Sequence, residues 1–90
     1  MFDLAIMEYV IEDMKNEDIE LVQVELIPND YQQLELMVYV NYGAGEFYAS
    51  QLHRVAIYEN HESEMAYEEA DALFNKIANE VGCKIRKLYP

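Results

Sequence analysis

The residues best suited to catalysis or metal binding are few in this sequence. The two histidines are His53 and His61, the one cysteine is Cys83, and the two serines are Ser50 and Ser63. A zinc site would need His, Cys and carboxylate side chains clustered at ligand spacing. A serine hydrolase of the α/β type would carry its nucleophile in a Gly-x-Ser-x-Gly elbow. Since neither pattern occurs, we predict a protein that is not an enzyme and needs no cofactor or metal.

The chemistry that the spacing does support is electrostatic. From about Asn60 apolar residues recur at helical intervals, which predicts a long second helix. On that helix Glu64, Glu68 and Asp71 follow at i, i+4 and i+7, so their carboxylates line one face about 5 to 6 Å apart. Further acids stand nearby, namely Glu59, Glu62 and Glu69. Such a row resembles the charge pattern of DNA phosphates. The alternative is a solvated helix face, favoured near the helix start by the dipole.

Negative charge is concentrated in the first 71 residues. Up to Asp71 the chain has 17 acidic side chains against Lys15 and Arg54, whereas from residue 72 onward only Glu80 opposes four basic side chains. The two parts carry −15 and +3, which sum to the net charge of −12. A field of this sign repels nucleic acid and anionic lipid and attracts basic surfaces. We therefore expect a basic protein partner, without direct nucleic-acid or membrane binding.

Two further features could contribute to partner binding. A second acidic cluster, formed by Glu17, Asp18 and Glu20, lies between the first helix and the first strand. The chain also has eight tyrosines and no tryptophan. Tyr39 and Tyr48 fall on strand positions that we expect to face outward, where a phenol supplies contact area at small entropy cost. The β-propensity of tyrosine is the alternative explanation.

Two periodicities predict the elements that position these groups. Spacings of three and four predict a first helix, which ends near residues 16–18 and whose inner stripe comprises Leu4, Met7, Val10, Ile11 and Met14. Alternation with period two predicts a hairpin with a turn at 28–30 and with Val22, Val24, Leu26, Leu34, Leu36, Val38 and Val40 facing inward. Residues 43–45 then break the chain. The segment 46–58 is either one bulged strand or two strands.

The end of the chain predicts two more features. Gly82 stands where a left-handed helix C-cap is expected. Cys83 to Leu88 could form a short edge strand with Cys83 and Ile85 inward and with Lys84 and Arg86 outward, since charged side chains commonly protect an edge.

The order helix, three or four strands, helix and short strand implies an α+β fold. We expect a two-layer sandwich in which an antiparallel sheet of three to four strands carries both helices on one face. Ninety residues form a single domain, either a monomer or a small homo-oligomer. The absence of a long apolar run, of a signal sequence and of a second cysteine favours a cytosolic protein.

Parts of the sequence resemble a known class of protein. Lys15 to Asp18 closes the first helix, Gln33-Leu34 opens a strand, and Gly45-Glu46 precedes an aromatic strand. With the element order, these features resemble the small acidic anti-CRISPR proteins of phages, over about two thirds of the chain. The resemblance implies an inhibitor that occupies the nucleic-acid site of Cas9. The basic tail does not belong to that pattern.

These observations lead to one functional hypothesis and its rivals. We expect a non-enzymatic inhibitor whose acidic surface imitates nucleic acid and blocks the basic groove of a nuclease or another nucleic-acid enzyme. Such electrostatic binding weakens with salt. The first rival is an immunity protein or antitoxin that neutralises one basic toxin. The second is an accessory interaction subunit whose acidity serves solubility alone.

Overall fold

The computed structural model describes residues 4–15, 19–44 and 47–89, and it describes side chains for residues 7–15, 19–43 and 50–89. In chain order the elements are α1 (Leu4–Lys15), β1 (Ile19–Pro28), β2 (Gln33–Ala44), β3 (Phe47–Glu59), a 3₁₀ turn (Asn60–Glu62), α2 (Ser63–Glu80) and β4 (Ile85–Leu88). The predicted α+β class and element order are confirmed. Strand β2 continues to Ala44, past the predicted break at Gly43.

One four-stranded sheet, in the order β3-β2-β1-β4, forms the first layer. The three long strands pair antiparallel, as predicted, and β4 pairs with β1 in parallel. The parallel pairing follows from the connection, because α2 leads from the end of β3 across the sheet to the start of β4. A helical crossover of this kind joins parallel strands, whereas a short turn joins antiparallel ones.

The core lies between the sheet and the two helices. On the central parts of β1 and β2 every second residue is buried, and four members of the predicted α1 stripe, Met7, Val10, Ile11 and Met14, belong to the same core, while the side chain of Leu4 lies outside the described side chains. The most deeply buried side chains include Met14, Val22, Val24, Leu36, Val38, Val40, Tyr58, Leu73 and Ile77. Because both helices contribute to this one cluster, they lie on one face of the sheet. The predicted two-layer sandwich is confirmed.

Strand β3 is one continuous strand with a bulge, which resolves the alternative left open by the sequence. Leu36 is paired with Ala56 but Met37 is paired with Arg54, so Val55 is the extra residue. Val55 and Ala56 are both buried, at 2% and 4% exposure. A bulge that turns two successive side chains inward interrupts the period of two, and it increases the local twist.

The face of the sheet that carries no helix is called the open face below. Two rows of paired residues cross its centre. One row runs Arg86, Gln23, Tyr39, Leu52 across β4, β1, β2 and β3. The next row runs Leu88, Glu25, Met37, Arg54. These side chains point away from the core because their strand neighbours point into it.

Candidate partner-binding surface

The acidic row is displayed by the outer side of α2. Ala66 and Ala70 face the sheet at 0% exposure, and their small side chains bring the helix close to it. Glu64 and Glu68 point the other way and are exposed. Neither makes a hydrogen bond or an ion pair with a residue whose side chain the structure describes. Their two carboxylates are therefore available to a partner.

Asp71, the third member of the predicted row, is held by the C-terminal strand. The hydroxyl of Tyr89 donates to Asp71 Oδ1 at 2.6 Å, and Lys87 Nζ donates to the same atom at 3.1 Å. These hydrogen bonds, that of Tyr89 first, lower the pKa of Asp71. Lys87 also lies 4.9 Å from the ring centre of Phe74. The basic tail thus folds back on the acidic helix and neutralises one end of the row.

The remaining acids near the start of α2 are fixed by hydrogen bonds within the chain. Glu62 Oε2 accepts the backbone N–H of Glu59 at 3.1 Å, as in a capping box, and Glu59 Oε1 accepts from Gln33 at 2.9 Å. Glu69 Oε2 accepts the hydroxyl of buried Tyr58 at 3.1 Å. Burial and the charge of Glu69 raise the pKa of Tyr58, so this phenol stays protonated and donating. These carboxylates are held in place.

Two other predicted contact residues with described side chains, Tyr39 and Glu20, do not join this surface. Tyr39 is half-buried in the open face, on the opposite side of the sheet from α2. Glu20 is exposed at the start of β1, at the other end of the sheet from Glu59. Glu17 and Asp18 lie outside the described residues, and the side chain of Tyr48 lies outside the described side chains. The surface that the structure assembles therefore consists of the acids on α2 and in the 3₁₀ turn before it. The name α2 row is used for Glu64, Glu68 and Asp71.

Tyr31 is an exposed aromatic residue that the sequence analysis did not identify as a contact residue, and it lies at the end of the sheet where α2 begins. Tyr31 is 80% exposed in the β1–β2 turn, beside the pairing of Gln33 with Glu59. Asn29 Oδ1 accepts the N–H groups of Tyr31 at 2.9 Å and Gln33 at 3.1 Å. Gln32 adopts a left-handed φ of 59°, which costs a residue other than glycine about 1 to 2 kcal/mol. The predicted turn at 28–30 was the available signal, since turn tips are exposed.

Met65 and Tyr9 are two more exposed apolar side chains without a signal in the sequence. Met65 is 46% exposed on α2 beside Glu64, and Tyr9 is 70% exposed on α1. Helical periodicity places both residues off the buried stripe, but it does not distinguish a contact residue from a solvated one.

A cleft of about 360 Å³ separates the outer surfaces of the two helices. It is lined by Glu8, Ile11, Glu12, Lys15, Lys76 and Glu80. Glu80 pairs with Lys76 at 2.8 Å and with Lys15 at 3.5 Å. The hydrogen bond from Lys76 is the main cause that lowers the pKa of Glu80. The Lys15–Glu80 pair therefore links α1 to α2, whereas Lys76 and Glu80 pair within α2.

Other functional groups offer no site in the described part of the chain. No three or more His, Cys, Asp and Glu side chains with described positions could together hold a metal ion. The side chain of His61 is 80% exposed, and its Nε2 lies 4.0 Å from Glu62. Burial raises the pKa of the Cys83 thiol, which disfavours the reactive thiolate. Within the described ranges, neither helix combines the length and the apolar character needed to cross a bilayer.

The sequence and the fold were compared with known proteins. No family model, no curated protein and no solved structure matches the chain.

Proposed function

We propose that this protein is a non-enzymatic inhibitor whose α2 surface imitates nucleic acid and occupies the basic groove of a nuclease or another nucleic-acid enzyme. One observation carries the proposal: residues 60–71 contain five carboxylates and neither lysine nor arginine, and they form the 3₁₀ turn and the first half of α2, which follow one another directly. An inhibitor of the anti-CRISPR or anti-restriction type needs such a surface.

The dimensions of the row suit this role. Seven residues of α-helix rise about 10 Å, so the carboxylates of Glu64, Glu68 and Asp71 stand about 5 Å apart along the helix, and Lys87 offsets the charge of the last one. A single DNA strand carries one phosphate per about 3.4 Å of axis. The row is therefore somewhat less dense than a DNA strand, and arginine or lysine side chains in a groove can bridge the difference because they are long.

Preorganisation supports the same proposal. Glu62, Glu69 and Asp71 already have their positions set by hydrogen bonds to the chain, so fewer rotamers must be frozen on binding. In contrast, no described side chain bonds to the carboxylates of Glu64 and Glu68. Their hydrogen-bonding capacity is therefore available to a partner. The fixed carboxylates of Glu62 and Glu69 would supply the field, and those of Glu64 and Glu68 would supply direct contacts with cations. Tyr31, in the exposed β1–β2 turn, and Met65, beside Glu64 on α2, would add contact area.

The proposal is tested by competition with DNA. A panel of nucleic-acid enzymes, including guide-loaded Cas9 and restriction endonucleases, is mixed with labelled target DNA, and DNA binding is measured against increasing inhibitor. The variant Glu64→Gln/Glu68→Gln should inhibit about tenfold less well than wild type. The control Glu8→Gln/Asp30→Asn removes the same charge at exposed sites outside α2 and should keep most of the activity.

Two results would count against the proposal. If the protein inhibited no enzyme of the panel, the hypothesis of nucleic-acid mimicry would be rejected. Equal loss in both double variants would mean that net charge alone, and not the α2 row, is responsible. If the protein instead neutralised a single basic toxin and no enzyme of the panel, the immunity-protein hypothesis would replace the inhibitor.

A further inference from the structure

Most of the exposed aliphatic surface of the domain lies on the open face. Six large apolar side chains with described positions are exposed, and three of them, Ile27, Leu52 and Leu88, stand on this face. Met37 and Tyr39 lie half-buried between them. Protein interfaces are enriched in Tyr, Met and Arg. The composition of the open face is therefore that of a contact surface.

The charge of the open face differs from that of the rest of the molecule. On its strands the carboxylates are those of Glu20, Glu25, Glu35 and Glu59, and the guanidinium groups are those of Arg54 and Arg86, so these groups sum to −2 where the chain carries −12. Two copies of this chain would repel each other across any strongly acidic surface. The open face is the broad surface on which two copies can meet with little repulsion.

We propose that the open face is a homodimer interface, on which a second copy of this chain packs sheet against sheet. The occupant follows from the charge, because a surface that carries both signs, and far less net charge than the rest of the chain, can pair with a second copy of itself. Its acids lie mainly on the two inner strands, while Arg86 lies on the outer strand β4 and Arg54 on the outer strand β3. Facing sheets cross at about 30°, which lets an outer strand of one copy approach an inner strand of the other.

The size of the face indicates a weak dimer. Four strands are about 19 Å wide, and the seven residues from Leu21 to Ile27 extend about 20 Å. This plan area of about 400 Å² per copy falls at the low end for specific interfaces. We therefore expect a dissociation constant in the micromolar range. The dimer would also hold two α2 surfaces outward on opposite sides, so it could engage two basic grooves.

The test is sedimentation velocity of the full chain across concentrations from about 1 μM to about 500 μM. Wild type should shift from monomer to dimer. Leu52→Glu should raise the dissociation constant at least about tenfold, because it buries an extra charge at the interface. Met65→Glu is the matched control: it adds the same charge at a similarly exposed residue on α2, and it should leave the dimer nearly unchanged. Circular dichroism of both variants checks that each remains folded.

Salt separates this proposal from the proposed function. Between about 50 mM and about 500 mM NaCl the dimer should persist or tighten, because screening reduces repulsion between the copies. Binding by the α2 row should weaken over the same range. A wild-type chain that stays monomeric to the highest concentration would overturn the proposal, and so would equal dissociation constants for the two variants. Neither result would contradict the proposed inhibitory function of the α2 surface.

Discussion

The two broad surfaces of this domain differ in charge and in order. The helical face, formed by α1, the 3₁₀ turn, α2 and Lys87, carries nine carboxylates against three ammonium groups, whereas the strands of the open face carry four carboxylates against two guanidinium groups. Several acids of the helical face are anchored by Tyr58, Tyr89 and backbone groups. The open face instead offers aliphatic side chains. The acidic side chains are therefore concentrated on the helical face, and the open face remains suited to apolar contact.

Removing a core side chain under α2 should have the largest effect on this comparison. Leu73 is 1% exposed between the helix and the sheet, so Leu73→Ala should lower the free energy of unfolding by about 3 kcal/mol. Leu52→Ala on the open face removes the same atoms at 54% exposure and should cost under about 0.5 kcal/mol. Urea unfolding at micromolar protein concentration, below dimerisation, measures both. Equal losses would mean that the open face is already covered in the monomer.

A change at the turn should strengthen the fold without altering either face. Gln32→Gly relieves the left-handed φ of 59° and should raise the free energy of unfolding by about 0.5 to 1 kcal/mol, after allowing for the greater freedom of glycine when unfolded. Gln32→Ala keeps the strain and should bring no gain. Thermal unfolding distinguishes the two variants. A gain in both would locate the effect in the glutamine side chain and not in the backbone.

Acid should weaken the attachment of the basic tail to the helical face. The pKa of Asp71 lies below its ordinary value, so its contribution to stability is present above the unfolded-state pKa, near 4, and is lost as the pH falls through the lower folded-state value. The difference in Tm between wild type and Asp71→Asn should be largest at neutral pH and should close as the pH falls below the folded-state pKa of Asp71. Asp30→Asn controls for net charge. A pH-independent difference would contradict the assigned contacts.

Repulsion within the acidic row should produce the smallest effect. Glu68 has Glu64 at i−4 and Asp71 at i+3, so Glu68→Gln should raise stability by about 0.3 to 0.5 kcal/mol at low salt, and the gain should vanish near 1 M NaCl. Glu8→Gln on α1 should gain less, because the charge of Glu8 also favours the protonated Lys76. Denaturant unfolding at two salt concentrations measures both. A loss of stability in Glu68→Gln would mean that this carboxylate has a structural role.

Much of the fold could be predicted from the sequence because its signals are local. The α1 stripe and the alternation from Val22 to Leu26 each report which side of one element is buried. Gly82 has the left-handed φ of 71° that its place after α2 predicts. In each case the cause lies within a few residues of the effect, so periodicity and capping chemistry suffice.

The features that could not be predicted depend on distant partners. The bulge at Val55 is set by pairing with β2, and it breaks the period of two on which strand prediction relies. The parallel pairing of β4 with β1 depends on the crossover of α2. Likewise, spacing placed Asp71 in the row, but only the folded chain brings Tyr89 and Lys87 to it.

The sequence predicted the charge of the candidate surface, but it did not predict which residues share that surface. The spacing of Glu64 and Glu68 is a property of one helix and could be read directly. Whether Tyr39 shares a surface with them depends on the packing of helix against sheet, and the structure separates them. Tyr31 could not be identified because a turn signal predicts exposure but gives no contact role.

The central claim is that the two faces act independently, the acidic one on a basic groove and the open one on a second copy. The most direct test measures both activities, DNA competition and sedimentation, on Glu64→Gln/Glu68→Gln and on Leu52→Glu. We expect the first variant to lose about tenfold in inhibition and to dimerise normally. We expect the second to lose dimerisation and to keep inhibition per chain. If each variant lost both activities, or if the losses were exchanged, the assignment of the two faces would be contradicted.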